Sequence, residues 1–168
     1  MKSVLIVTIT FIAASAVQAD DASRQAPVSL RADRIEIDQK TGISRYRGKV
    51  AVNQGTLQLT ADKATVERQG ELLRKVTAEG MPATFRDRPE GQTEFIEGEA
   101  LRMEYEALER KLHLTGKVSV KRGDDQLKAG ELHYHLNNET LTARSLDGQR
   151  VFATLKPEKK ADAPGAAP

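Results

Sequence analysis

From Val28 to Leu155 the chain alternates apolar and polar residues in short runs: Ile35-Glu36-Ile37-Asp38, Val50-Ala51-Val52, Leu57-Gln58-Leu59, Leu112-His113-Leu114, Val118-Ser119-Val120 and Leu132-His133-Tyr134-His135-Leu136. A period of two sends successive side chains to opposite faces of a strand, so each run reads as strand with one buried face. Turn residues separate the runs: Thr41-Gly42, Asn53-Gln54-Gly55, Gln69-Gly70, Glu79-Gly80, Gly123-Asp124-Asp125, Asn137-Asn138 and Asp147-Gly148. The spacing predicts an all-β protein of about ten short antiparallel strands, arranged as two facing sheets in a β-jelly roll or folded "taco".

One stretch argues for a helix. Between Gly98 and Leu112, the residues Leu101, Tyr105, Leu108 and Leu112 share one helical face. An internal repeat decides against it. Gly48-Lys49-Val50-Ala51-Val52 returns as Gly116-Lys117-Val118-Ser119-Val120, 68 residues later, and Glu79-Gly80 returns as Asp147-Gly148 at the same offset. Ala61-Asp62 matches Gly130-Glu131 at 69, and Ala32-Asp33 matches Gly98-Glu99 at 66, which sets Ile35 and Ile37 against Leu101 and Met103. The helix-like stretch is therefore expected to be strand, within two repeats of about 68 residues.

Alternation assigns an inner face comprising Val28, Leu30, Ile35, Val50, Val52, Leu57, Leu59, Phe85, Leu101, Met103, Tyr105, Leu112, Leu114, Val118 and Val120, together with Ile37, Val66, Leu132, Tyr134 and Leu136. Such a face is either a closed sandwich core or the lining of a groove that stays partly open. Composition bears on the choice. Four Phe, three Tyr and no Trp, with 30% charged residues, leave a thin and mainly aliphatic interior, which suits a groove that accepts hydrocarbon at about 0.8 kcal/mol per buried methylene.

The ends differ from this pattern. Lys2, the apolar run Val4 to Val17 and the small-residue site Val17-Gln18-Ala19 read as a cleaved signal peptide over residues 1–19. Fourteen residues of helix would span only about 21 Å, short of the ~30 Å hydrocarbon core, so an anchor fits less well. Residues 20–27 form a polar linker, 28–155 the folded domain, and 156–168 a Pro/Ala-rich tail. With zero cysteines, disulfides, thiolate metal sites and a cysteine nucleophile are excluded. Neither terminal strand region, Val28 to Asp38 or Gln149 to Leu155, contains a proline, so both sheet edges are open to strand addition.

Candidate chemistry is sparse. A net charge of +2 gives no footprint for a nucleic acid. Glu131, His133 and His135 share the outer face of one strand, a set that metals use. With cationic Lys117 and Lys121 nearby and no further His adjacent in sequence, they read as a solvated polar face, and neither metal nor cofactor is expected. Gly42 to Val50 departs from a phosphate loop, having five residues between its glycines and Val where Ser or Thr would hold Mg²⁺. Arg45, Arg47, Lys49, Arg68, Arg74 and Lys75 fit anionic head groups near a groove mouth, or simply scattered surface charge. No nucleophile triad or carboxylate pair emerges, so an enzyme is not expected.

Val28 through Asp38, Gly48-Lys49-Val50-Ala51-Val52, Gln54-Gly55-Thr56-Leu57, Ala61-Asp62-Lys63-Ala64, Gly80-Met81-Pro82-Ala83-Thr84-Phe85 and Leu114-Thr115-Gly116-Lys117-Val118 together resemble the LptA (OstA-like) family of periplasmic lipopolysaccharide-transport proteins. The resemblance implies a periplasmic β-jelly-roll bridge carrying lipopolysaccharide between the two membranes, with acyl chains in the groove. It also implies head-to-tail strand pairing with LptC at the inner membrane, with further copies and with LptD at the outer membrane. By position, Val28, Leu30, Phe85, Met103 and Tyr105 would touch lipid. The competing expectation is a self-assembling structural β module without a lipid ligand.

Overall fold

The computed structural model describes residues 26–89, 91–146, 148 and 150–156. The expected signal peptide, most of the linker and nearly all of the tail lie outside the described residues. Within them all helix and strand structure is strand: β1 (Ser29–Arg31), β2 (Arg34–Asp38), β3 (Ile43–Gln54), β4 (Leu57–Gln69), β5 (Leu72–Asp87), β6 (Ile96–Glu106), β7 (Lys111–Arg122), β8 (Asp125–His135), β9 (Thr140–Arg144) and β10 (Phe152–Thr154). The helix-like stretch holds no helix: it is the end of β6 and the start of β7, joined by a turn at residues 107–110 that carries Leu108.

All ten strands belong to one antiparallel sheet, ordered β1-β3-β4-β5-β6-β7-β8-β10, with β2 also on β3 and β9 also on β8. This corrects the expectation of two separate sheets. Ladder pairing continues from one layer into the other along each long strand, and the two layers are halves of a single folded sheet. The crease is a line of register shifts crossing it: Arg47/Val50 in β3, Thr60/Lys63 in β4, Glu79/Ala83 in β5, Glu99/Arg102 in β6 and Thr115/Val118 in β7. Each shift inserts unpaired residues that bend the strand and raise its twist. In β3 and β7 the bend is made by consecutive left-handed residues, Gly48 (φ 77°) with Lys49 (φ 47°) and Gly116 (φ 79°) with Lys117 (φ 51°). A Cβ on Gly48 would stand 2.3 Å from Asp33 Oδ2, so this corner admits glycine for two reasons.

Pairing registers recur at a constant displacement. Ile35 faces Tyr46 as Met103 faces Leu114, and Val50 faces Ala61 as Val118 faces Ala129, each 68 residues on. Ile35 therefore corresponds to Met103, not to Leu101 as the offset of 66 implied. Leu101 lies in β6 where the register shifts at the crease and is 38% exposed, beside the exposed Arg102.

The core follows the crease. Val50, Ala61, Ala64, Ala78, Ala83, Ala100, Met103, Leu114, Val118, Ala129 and Leu132 flank the register shifts on every long strand and are all buried. Six are alanines, which bring the layers close together. On β7 and β8 the inner residues are larger, and Leu114, Val118 and Leu132, with Val120, Leu127 and Tyr134 against them, fill the space between layers. On β4 and β5 the same depth is held by Ala61, Ala64, Ala78 and Ala83, and the layers enclose a void.

Candidate functional site

That void is a cavity of about 920 Å³ lined by both layers of β1 to β6, with Leu112 and Leu136 beside them. Its wall is apolar at depth: Leu30, Val52, Leu57, Leu59 and Phe85 come from one layer, and Tyr46, Val66, Leu73, Val76, Met103 and Tyr105 from the other. Polar groups gather at the strand ends away from the crease. Gln54, Thr56, Asp87 and Arg88 stand at one lip, and Asp38, Ser44 and Arg68 on the opposite layer. Thr56 Oγ1 donates to Asp87 Oδ1 at 2.7 Å, and Arg88 N donates to the same oxygen at 2.8 Å. Outside this lip the Arg86 guanidinium lies 3.8 Å from the Phe95 ring centroid.

Of the fifteen positions expected to line a groove, Val28, Leu30, Val52, Leu57, Leu59, Phe85, Met103, Tyr105 and Leu112 do line the cavity. Val50, Leu114 and Val118 are instead closed core, at most 2% exposed, and Val120 packs partly buried against them. Ile35 is half-exposed on the edge strand β2 and Leu101 is on the convex side, so neither reaches the lining. Tyr46, Ala64, Leu73, Val76 and Ala78 line it without having been expected. Ala64 and Ala78 carry no period-two signal strong enough to notice. Leu73 and Val76 lose theirs because Arg74 is an extra residue between the pairs Glu67↔Lys75 and Arg68↔Leu73. Tyr46 was accessible through the alternation of Ser44, Tyr46 and the polar residues around them.

Phe85 owes its position to a glycine. It pairs with Gly98, and a Cβ there would fall 2.1 Å from the Phe85 ring. The ring lies over the bare backbone of β6 and closes one wall of the cavity.

The outer face of the second layer is polar. Glu104 accepts from Lys75 Nζ at 2.7 Å and Arg102 Nη2 at 2.8 Å, while Arg102 also bonds Glu79. The hydrogen bond from Arg102, seconded by Lys75, holds the Glu104 carboxyl down at about 2. Further along the face, Glu131 lies between His113 and His133, and the hydrogen bond to His113 lowers its pKa.

The fold and cavity define an all-β protein built around an apolar, open-mouthed chamber. The family model described as "LptA/(LptD N-terminal domain) LPS transport protein" matches residues 29–140, and this chain belongs to that family. It is a lipopolysaccharide-transport family protein, not an enzyme. Among relatives, it is 30% identical over 138 residues to the lipopolysaccharide export system protein LptA of Escherichia coli strain K12, covering 81% of this chain and 74% of that one. It is 25% identical over 147 residues to LptH of Pseudomonas aeruginosa, covering 82% and 83%. The crystal structure of LptH, described as the LptA-homologous periplasmic component of that organism's lipopolysaccharide transport device, superposes with a TM-score of 0.71 at 23% identity, over 80% of this chain and 99% of that one.

Proposed function

We propose that this protein is a periplasmic bridge element that holds the acyl chains of lipopolysaccharide in its cavity while the sugar-phosphate head group stays in water at the mouth. The observation that carries this reading is the cavity itself: about 920 Å³ with an aliphatic and aromatic wall and polar groups only toward its lips. That volume is at the upper end for binding pockets, ~300–1,000 Å³. An insoluble, multi-acyl lipid needs such a lining to cross an aqueous gap, since each methylene removed from water contributes about 0.8 kcal/mol. The fold behind it is a β-jelly roll of two repeats, supported by the constant displacement of its pairing registers.

Continuity of the path comes from the sheet edges. Among the described residues, β1 and β2 pair only with β3, and β9 and β10 only with β8, so each end of the sheet carries unpaired backbone groups. Among the described residues, seven of the eleven exposed large hydrophobic ones lie at these edges: Val28, Ile35, Ile37, Leu146, Val151, Phe152 and Leu155. Strand addition there joins copies head to tail, with LptC as partner at the inner membrane and LptD at the outer membrane. The same edges favour a second reading, a self-assembling module with no lipid.

Titrating the purified chain with lipid A separates the two. Saturable binding supports the bridge, whereas concentration-dependent growth in light scattering without lipid binding supports the structural module and overturns the first reading.

A further inference from the structure

All three histidines of the chain lie on the outer face of the second layer, away from the cavity. Strand register makes His113 of β7 the direct partner of His133 of β8. Their rings stack, with centroids 4.0 Å apart and planes 16° from parallel. Glu131 lies two residues before His133 on the same face, and its Oε1 stands 2.8 Å from His113 Nε2 and 3.2 Å from His133 Nε2. The ligand atoms of the three residues all fall within 4.8 Å of one another.

A second carboxylate stands on the far side of His113. Glu104 of β6 is the register partner of His113 on its other side, with Oε2 3.8 Å from Nδ1. Lys75 and Arg102 bond Glu104 in turn, and a carboxylate oxygen stands near each ring nitrogen of His113. Two imidazole nitrogens and a carboxylate oxygen thus converge on one small region of the surface. The three groups are fixed by strand pairing instead of by a loop. A depression of about 160 Å³, lined by Glu104, Glu106, Lys111 and His135 among others, runs alongside and gives solvent access.

We propose that His113, His133 and Glu131 bind a divalent transition metal of the zinc type, through two imidazole nitrogens and one carboxylate oxygen, with water as the fourth ligand. Two His and one carboxylate suit borderline ions such as Zn²⁺ or Co²⁺, and three protein ligands plus water is a common zinc arrangement. The ion would cross-link β7 to β8 beside the last edge, because Glu131 and His133 in turn pair with Arg144 and Thr142 of β9.

The test is metal titration of the full-length, tag-free protein. The expected result is uptake of a single equivalent of Co²⁺ with a tetrahedral visible spectrum, displacement by Zn²⁺, and a higher Tm with Zn²⁺ present. H113N and H133N should abolish the spectrum, E131Q should weaken binding by roughly tenfold or more, and H135N should change nothing. On the unaltered protein, NMR should show Zn²⁺ shifting the ring signals of His113 and His133 ahead of those of His135, a reading that needs no variant to fold. The proposal is overturned by absence of saturable uptake, by uptake that survives H113N or H133N, or by Zn²⁺ shifts centred on His135.

Discussion

At the scale of single residues, the cavity depends on what is missing from Gly98 as much as on what is present at Phe85. Gly98→Ala places a methyl where the Phe85 ring now lies and should destabilise the protein by about 1–3 kcal/mol, the usual cost of overpacking. In a Phe85→Ala background the same substitution should be nearly neutral, and urea unfolding of the double-mutant cycle measures the coupling. Glu104 gives a pH signature. Its carboxyl is held at about 2 against an ordinary 4.5, a depressed value, so its stabilisation is complete above pH 4.5 and is lost as pH falls toward 2. Its neighbours across the face are Lys75, Arg102 and His113. Glu104→Gln should cost about 2 kcal/mol at pH 7 and flatten the unfolding midpoint between pH 4.5 and 2. Residue-scale legibility in the sequence was uneven for a physical reason: His113 and His133 are 20 positions apart in the chain and meet only through the β7–β8 register, which alternation alone does not supply.

At the scale of strands, period two located the elements and bulges decided their faces. Leu57, Leu59, Tyr105 and Leu112 were readable as inward because they sit on regular stretches between bends. Leu101 was misplaced because it lies at the crease, where Leu101 and Arg102 are both exposed between buried Ala100 and Met103, so the period of two breaks and the facing counted from one side reverses on the other. The alanine lining of the crease was invisible for a different reason: Ala is too weakly hydrophobic to mark a face, yet its small size makes the cavity. The two alanine environments should therefore respond oppositely to enlargement. Ala78→Leu grows into the void and should leave Tm unchanged or raised while lowering lipid A binding. Ala129→Leu, buried where the layers are already filled, should lower stability by roughly 1–3 kcal/mol. Thermal melts paired with lipid titration distinguish these outcomes.

At the scale of the whole molecule, a sheet that is creased along its middle and open at both ends has two independent properties: it encloses apolar space and it can be extended. The second is tested at the last strand. Val151 precedes β10 and is 42% exposed. Val151→Pro, which removes a backbone donor at that edge, should weaken head-to-tail association measured by light scattering while leaving the melting transition within a few degrees. The first property is the central claim, and site-specific photo-crosslinking tests it most directly. A photoreactive side chain at Tyr105 or Phe85, both in the cavity wall, should capture lipopolysaccharide, whereas one at Leu101 or Arg102 on the convex face should not. Capture from Leu101 and Arg102 with none from Tyr105 and Phe85 would contradict the account.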